Sequence, residues 1–253
     1  MWTRVEAPVE PRDVSGTEGG VSVSGVRKAF GAVTALEGVS LRAAPREVVA
    51  IVGPSGCGKS TLLALVCGLE APDAGTVTAP PAALMPQRDA LLPWLSALDN
   101  AGLALRVKGA SRAAARAAAH EHFEAFGLTG FERARPQALS GGMRQRVAFL
   151  RTLLAGRELL CLDEPFGALD ALTRGQMQRW LAGALEREPR TVLLVTHDVE
   201  EAVLLADRIV LLSARPGRVV ETLEVAIERP RARTDRAVVE LREHALTALG
   251  ETA

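Results

Sequence analysis

The sequence predicts an α/β fold: a mainly parallel sheet whose strands alternate with helices, interrupted midway by a helical block. Three observations carry this reading. Short apolar runs at 48–52, 159–162, 191–195 and 209–212 have the length and composition of strands buried on both faces. A glycine-rich loop at 53–61 joins the first run to an apolar-periodic stretch at 62–69, giving the order strand, loop, helix. Between the first two runs, 96–130 is rich in Ala and Arg with helical patterning and a stop at Gly127.

The elements follow in order. Residues 1–20, rich in Pro, Gly, Glu and Ser, read as a disordered lead-in with no apolar core, so not as a secretory signal. The alternation at 21–30 and 39–43 predicts two strands before the glycine loop. Four prolines and one glycine in 71–86 leave room only for short, irregular strand structure. Ser140 caps a helix running to Ala155, with Gly156 as terminator. A strand at 219–223 is followed by an amphipathic helix at 235–249 carrying Val238, Leu241, Ala245 and Leu249 on one face.

Composition narrows the function. The 253 residues are 48% hydrophobic and 24% charged, enough for a sizeable core. Thirty basic residues balance thirty acidic ones, so no overall field recruits nucleic acid or anionic lipid. No uncharged run reaches the roughly 18 residues of a membrane span. Cys57, Cys67 and Cys161 lie far apart in or beside apolar elements, as in a reduced protein without a zinc site.

The segment Gly53-Pro54-Ser55-Gly56-Cys57-Gly58-Lys59-Ser60-Thr61 fits the phosphate-binding pattern G-x-x-x-x-G-K-[ST]. Its glycines let backbone N–H groups turn inward around phosphate, and the following helix adds its positive dipole end. Lys59 can reach the β- and γ-phosphates, and the Ser60 hydroxyl can ligate Mg²⁺. The chain is therefore expected to bind a nucleoside triphosphate.

Further segments identify a family. Leu139-Ser140-Gly141-Gly142-Met143-Arg144-Gln145-Arg146 resembles the signature motif of ABC (ATP-binding cassette) ATPases. Leu159 to Pro165 resembles their Walker B strand, Ala168-Leu169-Asp170 their D-loop and Thr196-His197-Asp198 their switch histidine. Gln87 stands where their Q-loop glutamine belongs. The resemblance implies a P-loop (RecA-like) core, 21–88 and 157–228, with an antiparallel β subdomain. It also implies an inserted helical signature subdomain at 89–156 and a C-terminal helical extension at 229–253.

On this resemblance Asp163, Ser60 and Gln87 hold Mg²⁺, Glu164 polarises the attacking water, and His197 and Gln87 assist at the γ-phosphate. Phe30 falls where the family stacks an aromatic on adenine, although this chain has no tyrosine and a core role for Phe30 stays open. Preference for ATP over GTP rests on the resemblance alone. Ser140, Gly141 and Gly142 form a second anion site at a helix N-terminus, which the family, together with Asp170, brings to the nucleotide of a partner in a head-to-tail dimer. Cys57 in the loop predicts that thiol alkylation inhibits and that ATP protects.

Leu91-Leu92-Pro93-Trp94-Leu95-Ser96-Ala97-Leu98-Asp99-Asn100 and Arg215-Pro216-Gly217-Arg218 resemble importers of the nitrate/sulfonate/taurine group. That implies a peripheral subunit on the cytoplasmic face of the membrane. Its partners are a membrane permease docking near Trp94, an extracytoplasmic solute-binding protein acting through the permease, and a second ATPase subunit, with no nucleic acid. An exporter subunit and a soluble ABC ATPase acting on nucleic acid or ribosomes are the alternatives. Met143, where glutamine is frequent, and a short 75–87 span, read as a trimmed hairpin, depart from the family pattern.

Overall fold

The computed structural model describes residues 20–250, so the lead-in expected at 1–20 lies, except for Gly20, outside the described residues. Two sheets form. The larger contains β3 (Val48–Val52), β5 (Ala82–Met85), β6 (Leu159–Asp163), β7 (Thr191–Thr196), β8 (Arg208–Leu212) and β9 (Val219–Glu224), ordered β5-β6-β7-β3-β8-β9. All neighbours are parallel except β9, which closes the edge antiparallel to β8. The smaller sheet is antiparallel, β2-β1-β4, from β1 (Val21–Phe30), β2 (Val33–Ala43) and β4 (Ala74–Thr78).

The apolar runs are buried on both faces because each strand feeds two cores. Val49 and Ile51 of β3 face a core shared with the antiparallel sheet and α1 (Lys59–Val66), whereas Val48, Ala50 and Val52 face the helical side. Leu159 and Cys161 divide from Leu160 and Leu162 in the same way. A period of two with both faces covered yields a continuous apolar run.

The helical side is built from α2 (Ala97–Ala101), α3 (Leu103–Val107), α4 (Arg112–His120), α5 (Gly141–Leu154), α6 (Ala171–Arg187), α7 (Val199–Leu205) and α8 (Arg236–Ala248). The stretch 96–130 is broken into short helices and turns, with α2 and α3 meeting at Gly102. A Cβ there would lie 2.8 Å from the Ala115 carbonyl, so glycine permits the close approach of α4. The second strand is longer than 39–43, because its first half pairs with β1 up to Phe30. The proline-rich 75–87 span sends β4 to one sheet and β5 to the other, with Pro80 and Pro81 between them.

Arg231 fastens the C-terminal segment. Its guanidinium donates to the carbonyls of Val203 (2.8 Å), Ala206 (2.6 Å), Val225 (3.2 Å) and Ile227 (2.8 Å). Beyond it, α8 buries Val238 and Ala245, with Leu241 and Leu249 packed alongside.

Candidate active site

Strand register brings the site together. Val52 lies opposite Thr196 and Asp163 opposite Val195, so β3, β6 and β7 end at one level. The residues that follow, Gly53, Glu164 and His197, therefore emerge at one edge of the sheet. This is where open α/β sheets gather ligand-binding groups.

The loop after β3 is a turn that only glycines allow at two places: Gly56 (φ +75°) and Gly58 (φ +104°) sit in the left-handed region. A Cβ on Gly58 would also lie 2.8 Å from the Ala35 carbonyl. Lys59 is buried and donates through Nζ to the carbonyls of Gly53 (2.6 Å) and Pro54 (2.9 Å), so the ammonium lies within the loop. Ser55, Gly56, Gly58, Lys59, Ser60 and Thr61 line a cleft of about 450 Å³, whose other walls include Phe30, Gln87 and Glu164. Gly53 and Pro54 contribute the carbonyls that hold Lys59, and neither lines the cleft.

Three of the expected residues meet at the far side, Gln87 and Glu164 in the cleft wall and His197 outside its lining. Gln87 donates through Nε2 to Glu164 Oε2 at 3.2 Å, and His197 Nδ1 lies 3.2 Å from Glu164 Oε1. Glu164 itself has φ +48°, an uncommon conformation for a non-glycine residue, held by its N–H bonding to the Val195 carbonyl at 2.8 Å. The carboxylate thus faces an amide on one oxygen and an imidazole on the other.

A further residue supports this arrangement. Gln145, buried in α5, donates through Nε2 to the Glu164 carbonyl (2.8 Å) and accepts the Ala168 N–H on Oε1 (2.9 Å). In the sequence Gln145 stands only as one residue of the signature segment; its signal is a glutamine on the apolar face of a capped helix. From the same helix, Arg144 pairs with Asp89 at 2.9 Å and Arg151 donates to the carbonyls of Asp89 and Ala90. The helix that begins at Ser140 is therefore tied both to the chain after Gln87 and to the chain after Glu164.

Other expected residues lie apart from the cleft. Ser140 caps α5 by accepting the Met143 N–H, and with Gly141 and Gly142 it does not line the cleft of its own chain. Asp170 caps α6, accepting from Leu172 and Thr173 N–H, and backbone and side-chain bonds from Thr173 hold its carboxyl below the usual range. Phe30 is 49% exposed at the cleft mouth rather than in the core, with Lys28 Nζ 5.1 Å from its ring centroid. The Cys57 side chain is 1% exposed and points beneath the loop into the apolar core, not into the cleft.

The donor set suits magnesium. Asp163 ends β6 largely buried; burial pushes its carboxyl up, and a hydrogen bond from Ser60 with the charge of Lys59 pulls it back. A buried carboxylate bonded to a hydroxyl beside a phosphate cradle offers the hard oxygen ligands that Mg²⁺ takes, leaving its other positions for phosphate and water. Asp163 and Ser60 would hold the ion, which supplies charge neutralisation at the phosphates when bound.

A phosphate loop, a strand-end acid pair and a histidine at one sheet edge define a P-loop nucleotide-binding protein. The ABC transporter family model matches residues 36–167, and the chain belongs to this family of ATPases. It is 48% identical over 184 residues to the formylaminopyrimidine import ATP-binding protein ThiZ of Halalkalibacterium halodurans, covering 72% of this chain and 74% of that one. It is 47% identical over 199 residues to the taurine import ATP-binding protein TauB of Burkholderia thailandensis, covering 75% and 76%. Its fold is similar to the dimeric post-hydrolysis state of the ATP-binding cassette MJ0796 bound to ADP and phosphate, with a TM-score of 0.75, 30% identity, and coverage of 82% of this chain and all of that one.

Proposed function

We propose that the chain is the ATP-hydrolysing subunit of a bacterial-type ABC importer, working as a head-to-tail dimer with a membrane permease. The observation that carries this reading is the meeting of Gln87, His197 and Glu164 at the end of β6, beside the phosphate loop. Glu164 accepts the proton of a water that attacks the γ-phosphorus, the bond to the β,γ-bridging oxygen breaks, and ADP and phosphate result. Gln87 and His197 hold the carboxylate and the water in place, and His197 donates to the γ-phosphate. Lys59 and the N–H groups of 55–61 bind the phosphates, and Phe30 stacks on the base.

Ser140, Gly141, Gly142 and Asp170 complete the site of the opposing protomer, which fits their place outside the lining of their own cleft, with Ser140, Gly141 and Asp170 exposed and Gly142 half-buried. ATP then closes the pair and hydrolysis opens it. Trp94, 67% exposed, anchors the permease, consistent with the weight of aromatic residues in interfaces. The domain limits follow: an ATPase domain at 21–228 with its helical insert at 89–156, then the extension at 229–253. The relatives named for taurine and formylaminopyrimidine import support an importer, and the solute is recognised by the permease and an extracytoplasmic binding protein. No helix among the described residues is long and apolar enough to cross a membrane, which suits a peripheral subunit on the cytoplasmic face.

The test is capture of a tagged Glu164→Gln chain with MgATP from detergent-solubilised host membranes. A polytopic permease in stoichiometric amount supports the importer reading. Recovery of ribosomal or DNA-associated proteins alone overturns it while leaving the ATPase assignment standing.

A further inference from the structure

The turn joining β8 to β9 lies against the phosphate loop, and its position is fixed from both sides. The Ser213 N–H bonds to the Arg218 carbonyl at 2.9 Å, and the Ser213 hydroxyl accepts the Arg218 N–H at 3.1 Å and donates to the Pro216 carbonyl at 3.1 Å. Gly217 exchanges backbone bonds with β2, its N–H to Ala35 (2.9 Å) and its carbonyl from Glu37 (3.0 Å), and Arg218 pairs with Glu37 at 2.7 Å. A Cβ on Gly217 would fall 2.1 Å from the Cys57 carbonyl, so the turn fits only because that residue is glycine.

This frame aims one cation at the loop. Arg215 donates through Nε to the Gly56 carbonyl at 3.0 Å, and its Nη2 lies 2.8 Å from where a Cβ on Gly56 would stand. The guanidinium thus rests on the loop at a residue without a side chain, and it lines the same cleft as Lys59 and Ser60. Among the described residues, Arg215 has no carboxylate within ion-pair distance, unlike Arg218 beside it. A guanidinium with one N–H committed to a carbonyl keeps a fork of donors suited to phosphate oxygens.

We infer that Arg215 is a further nucleotide-binding residue, whose Nη donors contact the polyphosphate from the loop side opposite the Lys59 stem. The inference rests on the nucleotide reading of the cleft and adds a contact from outside the phosphate-binding motif. An exposed, preorganised cation of this kind raises affinity through a charge-assisted bond, and salt weakens it.

Binding of MgADP to the full chain and to its Arg215→Gln and Arg215→Lys variants, measured by calorimetric titration at low and high ionic strength, tests this. ADP avoids turnover during the measurement. Arg215→Gln is expected to bind ADP about tenfold more weakly at low salt, with a shallower salt dependence and an unchanged melting temperature. Arg215→Lys is expected to be intermediate. Unchanged affinity in Arg215→Gln overturns the proposal. So does weaker binding with an undiminished salt dependence, which marks a brace for the loop and not a phosphate contact. If the wild-type chain takes no ADP, the nucleotide reading of the cleft fails as well.

Discussion

Gln145 joins the helix that begins at Ser140 to the backbone of Glu164, donating to its carbonyl at 2.8 Å while accepting the Ala168 N–H at 2.9 Å. One buried amide thus spans the two stretches that the family motif order separates by nearly twenty residues, and it sets the height at which the Glu164 carboxylate stands. Replacing Gln145 with Ala leaves the Ala168 N–H without its partner, at about 1–3 kcal/mol, and takes one of two bonds from the Glu164 carbonyl, which keeps the Gly167 N–H at 3.1 Å. Gln145→Ala is expected to lower stability to urea and to reduce kcat by roughly 10–100-fold through misplacement of Glu164. ADP affinity should stay near wild type, since the loop at 53–61 is untouched. Unchanged turnover in steady-state phosphate release would contradict this.

Glu201 predicts a pH dependence of stability. It is buried at the start of α7, near Gln178, Thr196, Asp198 and Arg174, and burial with the neighbouring Asp198 charge pushes its carboxyl up to about 8. In the unfolded chain the group titrates near the usual carboxylate value, about 4.3. Its contribution is fully present below that value, and stability falls as pH rises towards 8, because the unfolded state ionises while the folded state keeps its proton. Linkage limits the total to about 4–5 kcal/mol. Glu201→Gln should match wild type at pH 4 and exceed it increasingly towards pH 8, read as urea midpoints. A difference that stays constant with pH would count against this origin.

Cys57 carries a prediction that the structure reshapes. Its place in the loop sequence predicts that alkylation inhibits and ATP protects, but the sulfur lies under the loop in the apolar core, with Lys59 Nζ 3.9 Å away. Labelling therefore requires the loop to open, and nucleotide protects by holding it shut rather than by covering the thiol. The labelling rate, followed by mass spectrometry, should be far slower than that of a free thiol and slower again with ADP. Rapid labelling indifferent to nucleotide, or full activity after complete labelling of Cys57, would refute this.

Much of the fold was legible because its strands carry strong local signals. Both faces of β3, β6 and β7 are covered, so their apolar runs stand out, and Ser140 and Gly156 mark the ends of α5 by cap chemistry. The first half of β2 was less visible, because its placement depends on pairing with β1 and not on its own alternation. The break between α2 and α3 at Gly102 follows from the approach of α4, a tertiary cause. At the site, the motifs gave residue types and order, while the contact of Gln87 and His197 with one carboxylate depends on the register of three strands. Gln145, Arg215 and Arg231 were hidden for a shared reason: each acts on backbone carbonyls distant in sequence, and such bonds leave no pattern along the chain.

The central claim is that this chain hydrolyses ATP with Glu164 as the group that activates water. The direct measurement is phosphate release from saturating MgATP by the purified wild-type chain and by Glu164→Gln, alongside ATP binding by both. The account predicts that the variant binds ATP as well as wild type or better, while its turnover falls by roughly 10²–10⁴-fold. Wild-type turnover in Glu164→Gln would contradict it, because the carboxylate held between Gln87 and His197 would then have no part in the chemistry.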